Sequence, residues 1–199
     1  MEQYVITISR QFGSMGRSIA RELSEILGIE FLDRDIVEAT AKRMGLPVSV
    51  ISDEEESMKS TFFRRQYPLG MGMSSLKDEI FLTQKNIIGD FAAKGSCIIV
   101  GRCADYILRE HPRCANVFIS ASKEDRIARL CAMHHIDAEA AEEMIEKADK
   151  RRSEYYNYYS YKTWGAAATY HLCIDSSSLG IEETVRFIEE FVVKKLQLV

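Results

Sequence analysis

The chain has 199 residues, 46% of them hydrophobic, which suits one domain with a sizeable core and argues against a disordered chain. Its net charge of −4 argues against a nucleic-acid coat or a membrane-surface protein, so any anion site has to be local. Five scattered cysteines without a C-x-x-C pair suggest neither a disulfide framework nor a zinc ribbon; reduced thiols, together with apolar runs too short to span a bilayer, set the expectation of a cytoplasmic protein with no membrane or nucleic-acid partner.

Residues 4–9 form a β-branched, mostly apolar run of strand length, and Ile19, Leu23, Ile26 and Leu27 then repeat at helical spacing up to Gly28, a C-cap. A short strand over 29–32 and a helix over 35–44 follow. The polar stretch 52–75, with an acidic run, two arginines and the Gly-rich PLGMGMSS, is expected to be mobile, and the acidic residues 53–56 to start a helix. A helix through Leu76, Ile80, Ile87 and Phe91 leads to strands over 97–100 and 116–120, helices over 124–133 and 138–159, a strand over 171–174 and a last helix bearing Ile181, Val185, Ile188 and Val192. Short apolar strands separated by helices predict an α/β fold: a five-stranded parallel sheet with helices on both faces.

Ligands in such sheets sit beyond the carboxyl ends of the strands, which here carry SRQFGSMGRS, LDR, GR and SAS. The first resembles the P-loop G-x-x-x-x-G-K-[ST], in which backbone N–H groups wrap phosphate oxygens at a helix N-terminus, a lysine reaches the outer phosphates and a hydroxyl holds magnesium. Gly13, Ser14, Met15, Gly16, Arg17, Ser18 and Ile19 are the candidate nucleotide-binding residues, with Ser18 the candidate metal ligand. Gln11 stands where the first glycine belongs, and Arg17, a forked permanent cation, replaces the compact lysine. The plainer reading is that Gly13 and Gly16 only shape a tight turn.

ITISRQFGSMGRSIARELSEIL, FLDRDIVEATAKRMGL, CIIVGRCADYIL, RRSEYYNYYSYKTWG and CIDSSSLGIEETV, in this order, resemble the cytidylate kinase-like family of P-loop proteins. The resemblance implies a single kinase-like domain over 1–199 with a nucleoside monophosphate-binding insert at about 45–80, a lid at about 126–155, and ATP and Mg²⁺ as cofactors. Asp33 is similar to an aspartate near the acceptor sugar, with Arg34 beside it, and Arg102 to an arginine beside the acceptor nucleotide; the alternative for Asp33 is a helix N-cap. Bacterial cytidylate kinases carry lysine at the position of Arg17, an acid at Val100 and an aspartate that helps read cytosine at Cys103, three departures that bear on magnesium and base recognition.

Phosphoryl transfer depends on positioning and converging cations. The resemblance assigns Arg126 or Arg129 to the donor base and Lys150 and Arg152, with Arg17, to the catalytic phosphate contacts; the KADKRR cluster could equally be a solvated face pairing acids and bases, as Glu146 and Lys150. In the Tyr-rich run, Tyr155, Tyr158 and Tyr159 share one helical face while Tyr156 and Tyr161 point elsewhere, so part of it is expected to meet a ligand, a lid or a second subunit. Adjacent His134 and His135 point apart and suit no metal, and no nucleophile motif supports hydrolysis. Three readings follow: a kinase moving phosphate from ATP to a nucleoside monophosphate, a catalytically altered nucleotide-binding module, or a homodimerising interaction protein.

Overall fold

The computed structural model describes residues 3–56 and 76–198. Five strands, β1 (Val5–Arg10), β2 (Glu30–Leu32), β3 (Cys97–Val100), β4 (Cys114–Ser120) and β5 (Leu172–Asp175), pair in the order β2–β3–β1–β4–β5. All pairs are parallel, with Val5 of β1 opposite Cys97 on one side and Cys114 on the other. Every loop that follows a strand therefore emerges at one edge, and the loop after the central β1 lies in its middle.

The two-residue alternation of a strand divides the core. Ile6 and Ile8 join Ile98, Val100, Val117 and Ile119 beneath α1 (Gly16–Leu27) and α8 (Ser176–Leu196), where Ile19, Leu23, Val185 and Ile188 complete the layer. Val5, Cys97 and Ile99 face the other way, against Ile36 of α2 (Arg34–Met44) and Ile87 and Ile88 of α4 (Leu76–Lys94). Each such aliphatic side chain removed from water contributes about 1.5–3 kcal/mol. This burial on both faces is why the strands read as unbroken apolar runs. The short α5 (Ala104–Ile107) follows β3, and α6 (Lys123–His134) packs on α7 (Ala138–Ser160) through Leu130, Ala141 and Ile145.

The acidic run does not start a helix. The helix there, α3 (Val48–Glu56), begins five residues earlier, and residues 53–56 fall at its other end. The Pro47 carbonyl accepts from the Val50 N–H at 3.1 Å, so the first turn forms directly after the proline. The rest of the expected mobile stretch, 57–75, lies outside the described residues. Of the Tyr-rich run, Tyr155 and Tyr159 pack on Phe81, but Tyr158 is 64% and Tyr161 90% exposed, while Tyr156 is buried. The three expected to share a face therefore do not bury together.

Gly16 opens α1 where β1 passes beneath it: a Cβ there would lie 2.7 Å from Arg10 Cβ, which the strand holds in place. Gly16→Ala is expected to cost about 1–3 kcal/mol, the scale of an overpacked site, read as a lower midpoint in denaturant titration. An unchanged midpoint would show that the loop yields to a methyl group.

Candidate active site

The β1–α1 loop closes by local chemistry. Gly13 (φ 78°) and Met15 (φ 60°) take the left-handed conformation, and Ser14 Oγ donates to the Gln11 carbonyl at 2.9 Å. Gln11, in place of a glycine, accepts the Ala121 N–H on its side chain at 3.1 Å and so ties the loop to the end of β4. Ser176 Oγ holds the Ser14 carbonyl at 2.8 Å. Met15 occupies the N-cap of α1 without a side-chain cap. The first-turn N–H groups of Gly16, Arg17 and Ser18 lack intrahelical partners by geometry, the arrangement that receives an anion. Arg17 and Ser18 are exposed there, whereas Ile19 is wholly buried in the core and its N–H bonds the Met15 carbonyl at 3.0 Å.

Asp33 sits at the N-cap position of α2, yet its carboxylate makes no capping bond. It turns into the site instead: Oδ2 accepts from Arg17 Nε at 2.5 Å and Oδ1 from Arg102 Nη1 at 3.2 Å. Burial works to raise the pKa of this carboxyl, but the charge of Arg102, the Arg17 hydrogen bond and the charge of Arg10 outweigh it and hold the group below the usual carboxylate range. Arg34 is exposed on the first turn of α2.

A cavity of about 430 Å³ opens beside the loop, with Arg10, Arg102, Lys147, Arg151 and Arg152 and the rings of Phe12, Tyr155, Tyr156 and Trp164 in its wall. Arg152 donates to the Arg10 carbonyl at 3.1 Å and lies 5.4 Å from the Phe12 ring centre. Lys150 is exposed and does not line the cavity. The helical acid–base pairing on this face is made by Glu143 and Lys147 at 2.5 Å. Arg126 is buried, with Nε on the Phe12 carbonyl at 2.6 Å and its guanidinium paired to Asp149; Arg129 donates to the Gly13 carbonyl at 3.2 Å. At the floor, Tyr156 donates to buried Asp105 at 2.5 Å. Burial pushes the pKa of Asp105 up, against the lowering effect of the Tyr156 hydrogen bond, and pushes that of the Cys103 thiol well up.

The structure thus brings Gly13 through Ser18, Asp33, Arg102 and Arg152 to one edge. It adds Arg10 and Asp149, which the sequence reading passed over. Arg10 ends β1 inside the very stretch read for function, so its position was a usable signal; Asp149 is one more acid on a charged helix, with none.

Parallel strand order, a glycine-shaped loop at the central strand and cations around it define a P-loop kinase-like fold. Residues 5–178 match the cytidylate kinase-like family, and the chain belongs to that family. No curated protein matches the sequence. An uncharacterised protein from Eubacterium ventriosum is similar at 26% identity and TM-score 0.74, over 96% of this chain and 98% of that one. Shikimate kinases from Bacteroides thetaiotaomicron (13% identity, TM-score 0.57, 96% and 99% covered) and Acinetobacter baumannii (15%, 0.54, 96% and 93%) share the fold.

The lowered Asp33 pKa carries a sign. A carboxyl held below its unfolded value adds stability above about pH 4, lost as pH falls through the folded value. Asp33→Asn should therefore be less stable than the wild type at neutral pH, with the gap closing as pH falls below about 4 and through the lowered folded value. Denaturant midpoints across that range test it; a gap independent of pH would show that the charge on Asp33 is not what the arginines hold.

Proposed function

We propose that the chain is a small-molecule kinase that moves the terminal phosphoryl group of ATP to a nucleoside monophosphate, CMP being the first acceptor to test. The observation that carries the reading is convergence: cations from β1, from the turn after β3 and from α7 line one cavity beside the N-terminus of α1, whose cap residue Met15 makes no side-chain capping bond. Transfer between two polyanions needs positive charge on the transferring oxygens and the attacking group held in line, and little covalent work from the protein. In this reading the loop amides and Arg17 hold the ATP phosphates. Arg102 and Asp33 receive the acceptor, and Arg152, with Arg10 and Arg151, faces the group in transit.

In this reading a triphosphate is received by the first-turn N–H groups of Gly16, Arg17 and Ser18, which lack intrahelical partners; Gly16 packs so closely on Arg10 that a side chain there would collide with it. Mg²⁺ would take Ser18 Oγ with phosphate oxygens and water and neutralise charge on the bridging oxygens; Val100, apolar and fully buried, supplies no carboxylate to it. The free thiols suit a reducing, cytoplasmic compartment, and among the described residues no helix is long and apolar enough to cross a membrane.

One observation favours a second reading, a nucleotide-binding module without transfer: Arg17 is turned onto Asp33. ATP binding without ADP release would select it. Exposed Tyr158 and Tyr161 leave homodimerisation open to sizing chromatography.

Nucleoside monophosphates presented with ATP and Mg²⁺ should release ADP with one acceptor preferred. Arg17→Ala should weaken ATP binding by about 1–3 kcal/mol, the scale of a charge-assisted hydrogen bond, as measured by calorimetry; unchanged affinity would remove Arg17 from the phosphate site. Arg152→Ala should depress turnover more than ATP affinity if its contact strengthens in transfer. Equal losses in both would reduce Arg152 to a binding group.

A further inference from the structure

We propose that Arg126 and Asp149 are positioning residues that set the conformation of the phosphate loop, so that α6 and α7 act as a fixed brace on the loop. The inference rests on reading that loop as the ATP phosphate site.

Both sides of Phe12 are held. Its N–H donates to Asp149 Oδ1 at 2.7 Å and its carbonyl accepts from Arg126 Nε at 2.6 Å, while Asp149 Oδ2 pairs with the same guanidinium. Two further arginines extend the pattern: Arg129 of α6 holds the Gly13 carbonyl and Arg152 of α7 the Arg10 carbonyl. Three carbonyls, one at the end of β1 and two in the loop, thus each accept from an arginine of the helix pair.

The direction of these bonds matters more than their number. In a planar trans peptide the N–H points opposite to the C=O. Arg126 on the Phe12 carbonyl therefore turns the Gly13 N–H away from the helices, and Arg129 does the same for the Ser14 N–H, which closes the turn on the Gln11 carbonyl at 3.4 Å. Amide direction is the property on which a phosphate cradle depends. The fit is close as well as directed, since a Cβ on Gly13 would come within 3.3 Å of Arg126 Cβ. Arg126 is only 5% exposed, with Nε and Nη2 already engaged, so it is placed to aim backbone and not to stack on a base. The brace also joins two tasks in one helix, because α7 sends Asp149 to the loop and Lys147, Arg151 and Arg152 to the cavity wall.

The test is ATP and inorganic tripolyphosphate affinity by calorimetry on the full chain. Asp149→Asn keeps an oxygen for the Phe12 N–H but removes the charge facing Arg126, and Arg126→Lys keeps the charge but loses the directed Nε donor. Because either variant reads out the brace, the result does not hang on the folding of one. Val192→Ala, a core truncation in α8, is the control for lost stability alone. Each of the two brace variants is expected to weaken ATP binding about tenfold or more, the scale of one charge-assisted hydrogen bond, and to speed amide exchange across the loop. The double variant should lose little more than the worse single one, as expected of residues acting on one peptide. Wild-type affinity in the folded variants, or an equal loss in Val192→Ala, overturns the proposal. If the wild type binds neither probe, the donor-site reading fails before any substitution is made, and the proposal with it.

Discussion

Like charges crowded at one edge of a sheet repel, and two carboxylates decide where these cations stand. Asp33 takes Arg17 on one oxygen and Arg102 on the other, and Asp149 takes Arg126 together with the Phe12 N–H. Both carboxylates work at short range in poorly solvated positions, where the loss of one partner strands a charge. The cavity wall holds five Lys and Arg and, among the described residues, no Asp or Glu, with Arg102 paired to Asp33 and Lys147 to Glu143 from outside it. A cleft so lined concentrates anions.

The surrounding fold makes that crowding sustainable. β1 is central and buried on both faces, so the loop it launches is anchored at a rigid point, and Ser176 at the head of α8 holds the Ser14 carbonyl while Arg129 of α6 holds that of Gly13. Behind the cavity the Tyr-rich end of α7 turns inward: Tyr159 stacks on Phe81 at 3.9 Å between ring centres, and Tyr156 reaches Asp105. This aromatic layer fixes the helix that carries Lys147, Arg151 and Arg152. The run that looked most like a partner surface is therefore largely a support for the site.

Much of the architecture was readable from residue types. Every strand and helix expected outside residues 45–75 appears within a few residues of its place, because strands buried on both faces must be apolar throughout and α1 must repeat at helical spacing to cover them. The start of α3 was misplaced because the acids 53–56 drew attention while Pro47 carried the boundary. The loop was readable from its glycine spacing after β1, whereas the close approach to Arg10 that leaves glycine as the residue that fits at position 16 is a fact of the folded chain.

The sequence by itself determined the fold class, the place of the glycine-shaped loop after β1 and which family the chain resembles, since these follow from periodicity, glycine spacing and motif order along one dimension. Only the tertiary structure decided what each cation does. Arg126, Arg129 and Arg152 look alike on a helical pattern, yet the packing of α6 against α7 turns the first into the loop, sets the second on the Gly13 carbonyl and leaves the third at the cavity wall, while Lys150, next to Arg151 in sequence, faces water. Helical neighbours are about 100° apart in direction, so a side chain's partner is set by which faces of two helices meet, and that is a property of the assembled core.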